Sequence, residues 1–228
     1  MDYRETPPPP HLAGLVKARW TLTGGGAPGD WITQQATPDG CIEIIRRTRG
    51  ASRWDGDQPE SFAVGLVDRP QAFEISGDAA FEGLRLWPWA WAHIGSIALA
   101  ELHGRWRAIE PPDFAAIGAR LSGAAELNAL GGAIIAAPSV AAMGAATVMA
   151  PRALQRWFAR HVGLPPRAYL RLLRFQNAFA ALPGEPSLAG HAAAQGFADQ
   201  AHMAREFRSL AGVTAGKARA RARGPFLG

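Results

Sequence analysis

The feature that most constrains the fold of this 228-residue chain is an internal duplication in its second half. Arg156-Trp157-Phe158, four residues, then Gly163-Leu164 recurs as Arg205-Glu206-Phe207, four residues, then Gly212-Val213, at a constant offset of 49. Leu154 falls opposite Met203, and upstream Ser139-Val140-Ala141 answers Ser187-Leu188-Ala189 at an offset of 48. A solenoid needs about three or more stacked copies to close its core, so two copies describe a duplicated supersecondary unit. Each copy reads as a short Ala-rich helix, a tight turn and a second helix.

Helical periodicity sorts the faces of those second helices. In the first copy Leu154, Trp157, Phe158 and His161 fall at i, i+3, i+4 and i+7 and face inward, which turns Arg152, Gln155, Arg156 and Ala159 outward. In the second copy Met203, Phe207 and Leu210 face inward, and Gln200, Ala204, Arg205 and Arg208 lie opposite. Asp199 is placed to cap the second of these helices, with Gly196 as the turn residue before it. Between the units, Pro165-Pro166 opens a helix to about Leu182, with a buried stripe of Leu172, Phe175, Phe179 and Leu182 and exposed Arg167, Arg171 and Arg174. Seventeen residues at helical rise span roughly 25 Å, compatible with two helices in successive major-groove windows about 34 Å apart.

Charge follows the same division. The chain carries a formal net charge of +5. Residues 1–130 hold 12 Lys/Arg against 16 Asp/Glu, a net charge of −4. Residues 131–228 hold 12 Lys/Arg against only Glu185, Asp199 and Glu206, a net charge of +9. A basic half suits a polyphosphate partner, because counterion release favours that association. Arg and Gln are also the side chains that make bidentate contacts to guanine and adenine edges. The competing reading is a helical bundle with solvated arginines, and periodicity alone leaves it open.

The front half is β-rich. Pro38-Asp39-Gly40 turns into a strand at Cys41-Ile-Glu-Ile-Ile, and Ser61 to Val67 reads as another. Ala72-Phe-Glu-Ile and Phe81-Glu-Gly-Leu-Arg-Leu, separated by Ser76-Gly77-Asp78, read as a hairpin-like pair. Short strands at roughly ten-residue spacing suggest a small antiparallel sandwich or half-barrel. Trp87-Pro-Trp-Ala-Trp is either a strand presenting an aromatic wall or a helix with Pro88 in its first turn, and the helix is favoured because no turn signal follows. Residues 113–130 read as helical, and the small-residue stretch Gly131–Ala137 reads as a hinge or linker.

Several function classes are set aside at this stage. With 48% hydrophobic residues and a modest charge the chain is no disordered polymer, and no run of about 18 apolar residues lacks charges. Cys41 is the single cysteine, so no internal disulfide forms. MDYRETPPPP has no basic start followed by an apolar run, which favours a cytoplasmic location over secretion. His11, His93 and His103 are dispersed without a His-x-His pair, so no metal site is expected. Gly24-Gly25-Gly26 lacks the Gly-Lys-Ser/Thr continuation of a phosphate cradle. Neither a cofactor nor a catalytic residue is expected. The Ala-Arg repeat at 218–223 could add phosphate contacts or be a disordered, solvated end.

Pro151-Arg-Ala-Leu-Gln-Arg-Trp-Phe, Gly163-Leu-Pro-Pro-Arg-Ala-Tyr-Leu-Arg-Leu-Leu-Arg-Phe and Gly196-Phe-Ala-Asp-Gln-Ala-His-Met-Ala-Arg-Glu-Phe resemble the DNA-binding domain of AraC/XylS-type transcription regulators. The resemblance covers about residues 138–220 and implies two helix-turn-helix units, joined by a long helix, that read adjacent major grooves. Carried over by position, it implies Arg152, Gln155 and Arg156 as the first base-reading set, and Gln200, Ala201, His202, Ala204 and Arg205 as the second. Arg160, Arg167, Arg171, Arg174 and Arg208 are expected on phosphates. There are three departures from the pattern. Ala150 stands where the family has a Ser cap, and His191 replaces an apolar residue. Ala215-Gly216 replaces a proline, so a frayed last helix is expected. The front half is similar, through Pro38-Asp39-Gly40 with Glu43-Ile44 and through Gly83-Leu-Arg-Leu-Trp-Pro88, to a half-cupin-like domain found in a subset of these regulators.

The expected fold class is α+β. A β-rich, cupin-like half-barrel with flanking helices would occupy residues 1–130 as a sensing or dimerising domain. An all-α, homeodomain-like double helix-turn-helix would occupy 131–228, with units at about 138–163 and 187–212 and a linker helix at about 166–182. The expected function is sequence-specific regulation of transcription, modulated through the front domain. Double-stranded DNA is the expected partner, RNA polymerase and a small-molecule effector are further candidates, no membrane is involved, and the chain is a monomer or homodimer. The alternative is a small-molecule-binding or metal-dependent cupin-like enzyme carrying a degenerate helical tail.

Overall fold

Alternating burial builds the front half. The computed structural model describes residues 1–184, 187–223 and 226–227, with side chains described to residue 220 except at 184. Its strands are β1 (Asp2–Thr6), β2 (Val16–Thr23), β3 (Trp31–Ala36), β4 (Ile42–Arg49), β5 (Ser52–Arg53), β6 (Ser61–Val64), β7 (Gln71–Ser76), β8 (Ala80–Leu86) and β9 (Trp106–Ala108). Along β2, Val16, Ala18, Trp20 and Leu22 point inward while their neighbours face out, the period-two pattern of a half-buried antiparallel strand. One sheet runs β1-β2-β8-β4-β6-β9, and the other contains β3, β7 and β5. Trp20, Leu22, Ile45, Phe62 and Phe81 from the first sheet meet Ile75 of the second in one apolar cluster, so the two sheets face each other.

Two expectations about this half are corrected. The segments at 72–75 and 81–86 are not a hairpin: β7 pairs with β3 and β5, whereas β8 pairs with β2 and β4. Ser76-Gly77-Asp78 therefore passes the chain between sheets, held by Ser76 Oγ donating to Asp78 at 2.7 Å and by Gly77 N–H donating to Asp30 O at 2.7 Å. The stretch Gly131–Ala137 is not a hinge either. It lies almost wholly in a helix whose Gly131 packs against the backbone of Gly14 and the Trp89 indole, an approach too close to admit a Cβ.

The helices are α1 (Pro88–Ile94), α2 (Leu99–Leu102), α3 (Phe114–Ser122), α4 (Ala125–Ala136), α5 (Val140–Ala146), α6 (Pro151–His161), α7 (Pro166–Ala181), α8 (Leu188–Ala194), α9 (Gln200–Ala211) and α10 (Ala215–Arg221). The tryptophan-rich segment is the helix α1, with Pro88 in its first turn. Its indoles anchor structure: Trp87 donates to Ala13 O at 3.0 Å, Trp89 to Gly14 O at 2.6 Å and Trp91 to Ile97 O at 2.9 Å. The division drawn at 130/131 falls inside α4, and the large apolar cluster is continuous across it, from Ile42 and Trp89 to Phe158 and Phe207.

The last helix is formed despite its missing proline. Ala215 and Ala218 are buried, and Thr214 Oγ1 accepts from Lys217 N at 3.4 Å at its start. Beyond it, β10 (Ala222–Arg223) pairs with β11 (Phe226–Leu227), which pairs in turn with β3.

Candidate nucleic-acid interface

The duplication is realised as two helix pairs, α5 with α6 and α8 with α9, on either side of α7. Both first helices start on a serine: Ser139 Oγ accepts from Ala142 N at 3.1 Å and Ser187 Oγ from Gly190 N at 3.3 Å. The change of offset from 48 to 49 has a physical origin. Four residues, 147–150, connect the first pair, whereas five, 195–199, connect the second. Each connection passes through the left-handed region, at Val148 (φ 53°) and Gly196 (φ 72°).

The second helices differ at their N-termini. Asp199 Oδ1 accepts from His202 N at 2.6 Å and caps α9, whereas Ala150 offers α6 no side-chain cap. Pro151 eases that loss because its missing N–H needs no acceptor. On α6, Leu154 and Phe158 are buried and Arg152, Gln155, Arg156 and Arg160 are exposed. On α9, Met203, Phe207 and Leu210 are buried, Gln200, Ala201, Arg205 and Arg208 are exposed, and His202 and Ala204 are half-buried. Both helices thus present an Arg/Gln face to solvent.

The same core fixes both helices. Phe207 packs edge-on against Phe175 of α7 at 5.1 Å between centroids, and Phe158 lies edge-on to Tyr169 of α7 at 5.7 Å. Among the linker-helix arginines, Arg167 is exposed and Arg174 half-buried. Arg171 is engaged within the protein: its Nε donates to Glu206 at 2.5 Å and its Nη2 to Ser209 at 2.9 Å, clamping α9 to α7. His191, at the family's apolar position, is buried with Nε2 2.8 Å from Ala178 O.

Trp157 faces the front half rather than the interior of its own unit. Trp157 stacks on His161 at 4.7 Å and lies 5.9 Å from Trp89 of α1. Periodicity placed both residues on an inward face, but nothing in a helical pattern says which unit that face meets. The rest of this seam went unread in the sequence. Tyr169 donates its hydroxyl to Gly40 O at 3.0 Å, Gln176 donates to Pro38 O and to Thr37 Oγ1, and Gln35 donates to Ala211 O at 2.7 Å. The readable signal was a polar residue, Gln176, set into the apolar stripe of α7.

Residues 143–221 match the family described as a helix-turn-helix domain, and residues 4–106 match a domain of unknown function (DUF6597). The chain carries an AraC-type helix-turn-helix domain. No curated protein matches the sequence. Among solved structures, the chain is similar to a probable AraC family transcriptional regulator from Rhodopseudomonas palustris CGA009, at 25% identity over 42% of this chain and 94% of that one, with a TM-score of 0.36. It is also similar to ToxT from Vibrio cholerae O395, at 10% identity over 93% and 95% of the two chains, with a TM-score of 0.44. The matched helix-turn-helix region thus runs from within α5 through α6, α7, α8 and α9 to the end of α10, and the β-rich half precedes it. Among the described residues no helix is long and apolar enough to cross a membrane, and no three His, Cys, Asp or Glu gather as metal ligands.

Proposed function

We propose that this AraC-type transcription regulator reads two adjacent major-groove windows of duplex DNA, with α6 in one and α9 in the other. The observation that carries this reading is the pair of exposed Arg/Gln faces on helices whose opposite faces are locked into one core through α7. Arg152, Gln155 and Arg156 are the base readers of the first window, and Gln200, Ala201, His202, Ala204 and Arg205 those of the second. Ala201 and Ala204 offer only apolar contact, for instance to a thymine methyl, so Gln200 and Arg205 dominate there. Arg160, Arg167, Arg174 and Arg208 contact phosphates. Arg171 was expected among them, but its bonds to Glu206 and Ser209 suit a brace for α9 better.

The front half modulates DNA binding through the seam. Its turn at Thr37–Cys41 bonds to Tyr169 and Gln176 on α7, the helix that sets the spacing of the two readers, so a shift of that turn is felt by both. We assign the chain to the cytoplasm, on the nucleoid, where RNA polymerase is a candidate partner.

A salt titration tests the reading. With four phosphate-contacting arginines and a slope of about −0.9 per neutralised phosphate, affinity for a specific duplex should fall roughly 10²-fold between about 50 and 200 mM salt while sequence preference persists. Arg205→Ala should cost about 1–3 kcal/mol and relax preference at one base position. Equal loss on every sequence would instead place Arg205 on the backbone.

A further inference from the structure

The start of α9 is capped twice, and the second cap fixes the protonation form of a side chain beside its arginine face. Asp199 Oδ1 accepts from the backbone N–H of His202. In return the backbone N–H of Ala198, the residue before Asp199, donates to His202 Nδ1 at 3.3 Å. The exchange resembles a capping box, with an imidazole in the place where a Glu or Gln side chain ordinarily reaches back. The ring also lies edge-on to the buried Phe197, at 5.5 Å between centroids and 84° between planes, so its orientation is set from two sides.

A nitrogen that accepts a backbone N–H carries no proton of its own. Nδ1 is therefore the bare nitrogen of a neutral imidazole, and the proton of the ring sits on Nε2. Among the described residues none hydrogen-bonds Nε2, and the side chain is half-buried rather than enclosed. His202 precedes Arg205 by three residues, which makes the two neighbours on one flank of the helix. The side chain thus offers a single N–H donor, held in place, next to an exposed arginine.

The first unit has neither half of this arrangement. At the offset of 49, Ala150 stands where α9 has Asp199 and Ala153 where it has His202. Whatever this donor does belongs to the second unit alone.

A fixed donor restricts what the residue can recognise. In the major groove guanine shows two acceptors, N7 and O6, and no donor, whereas cytosine shows only a donor. Adenine and thymine each show one acceptor, beside an amino group or a methyl. From the cap, the fixed ring and the single donor we infer that His202 is a specificity-determining residue that reads a guanine edge through Nε2–H, with the Ala198 N–H holding the imidazole in its donor form. An imidazole without that cap would be as able to accept as to donate, so residue type alone does not give this choice. The inference rests on the reading of α9 as the helix of the second window and names the base that His202 selects there.

Two substitutions divide the functions of the ring. His202→Asn places an amide oxygen near the position of Nδ1, which keeps an acceptor for Ala198 and removes the far donor. His202→Lys supplies donors without an acceptor, which gives up the cap and keeps the means to contact guanine. The full-length chain and both variants are taken through selection from random duplexes, followed by competition titrations and chemical denaturation. Wild type should select guanine at one position of the second half-motif. His202→Asn should lose roughly tenfold or more in discrimination of guanine from cytosine at that position, the worth of one base contact, with its unfolding midpoint retained. His202→Lys should keep the guanine at a lowered midpoint. Guanine preference unchanged in His202→Asn, a responding position that holds a base other than guanine, or equal loss of affinity on every sequence in both variants would each overturn the assignment; the last would leave His202 a cap alone. In those three cases the position relaxed by Arg205→Ala keeps its preference in both His202 variants, so the second window stands. Enrichment of no sequence by wild type would overturn the two-window reading together with this inference.

Discussion

Val148 and Gly196 stand at equivalent turns and solve the same backbone problem unequally. Both adopt positive φ, yet Val148 is β-branched and 93% exposed, with no packing to offset its strain. Val148→Gly relieves that strain at the entropic cost of a glycine, and the balance should be a gain of about 0.5–1 kcal/mol in chemical denaturation. A loss of stability would show that the valine makes a contact absent from this structure. At this scale much was legible in the sequence. The buried stripe of α7, the exposed arginines of α6 and α9 and the Asp199 cap all follow from periodicity and capping chemistry. Arg171 did not, because its partners Glu206 and Ser209 lie 35 and 38 residues away. Arg85 escaped for the same reason, since the carboxylates it faces, on Glu5, Asp39 and Glu43, come from three different segments.

Among the elements, α6 is the second helix of a duplicated unit with the poorer start. Ala150→Ser should supply the missing cap and stabilise the chain by about 1 kcal/mol, read as a raised unfolding midpoint with the denaturant slope unchanged. No gain would mean that Pro151 already leaves nothing for a serine to satisfy. The elements misread in the sequence were those whose partners are remote. The segments at 72–75 and 81–86 have hairpin spacing, yet each finds better company in a different sheet. The glycines and alanines of Gly131–Ala137 look like a linker because they are small, and they are small because Gly131 packs against Gly14 and Trp89. A last helix expected to fray is held by Ala215 and Ala218, whose burial no local pattern announces.

Across the whole molecule, the seam between the β-rich half and the helix-turn-helix domain is the least legible feature. Cys41 reports on it, because it lies next to Gly40, the acceptor of the Tyr169 hydroxyl. Burial pushes the Cys41 thiol well above its ordinary range, with the Asp39 charge adding to the effect. The folded chain therefore keeps a proton that the unfolded chain releases above its ordinary pKa of about 8.5. Stability from this group is fully present below that pH and declines as pH rises through it, by at most about 1.4 kcal/mol per pH unit. Cys41→Ala should flatten the alkaline part of a stability-against-pH curve, and an unchanged curve would assign the decline to other groups. The duplication and the −4/+9 charge division together disclosed the helix-turn-helix half, whereas its attachment to the front half, a continuous apolar cluster with hydrogen bonds from Tyr169, Gln176 and Gln35, follows from no local pattern. The most direct test of the central claim is selection of bound sequences from random duplexes by the full chain. Two half-motifs with centres about one helical turn, roughly 10 base pairs, apart are the predicted result. Enrichment of no sequence, or of one isolated half-motif, would contradict a chain that reads two windows with α6 and α9.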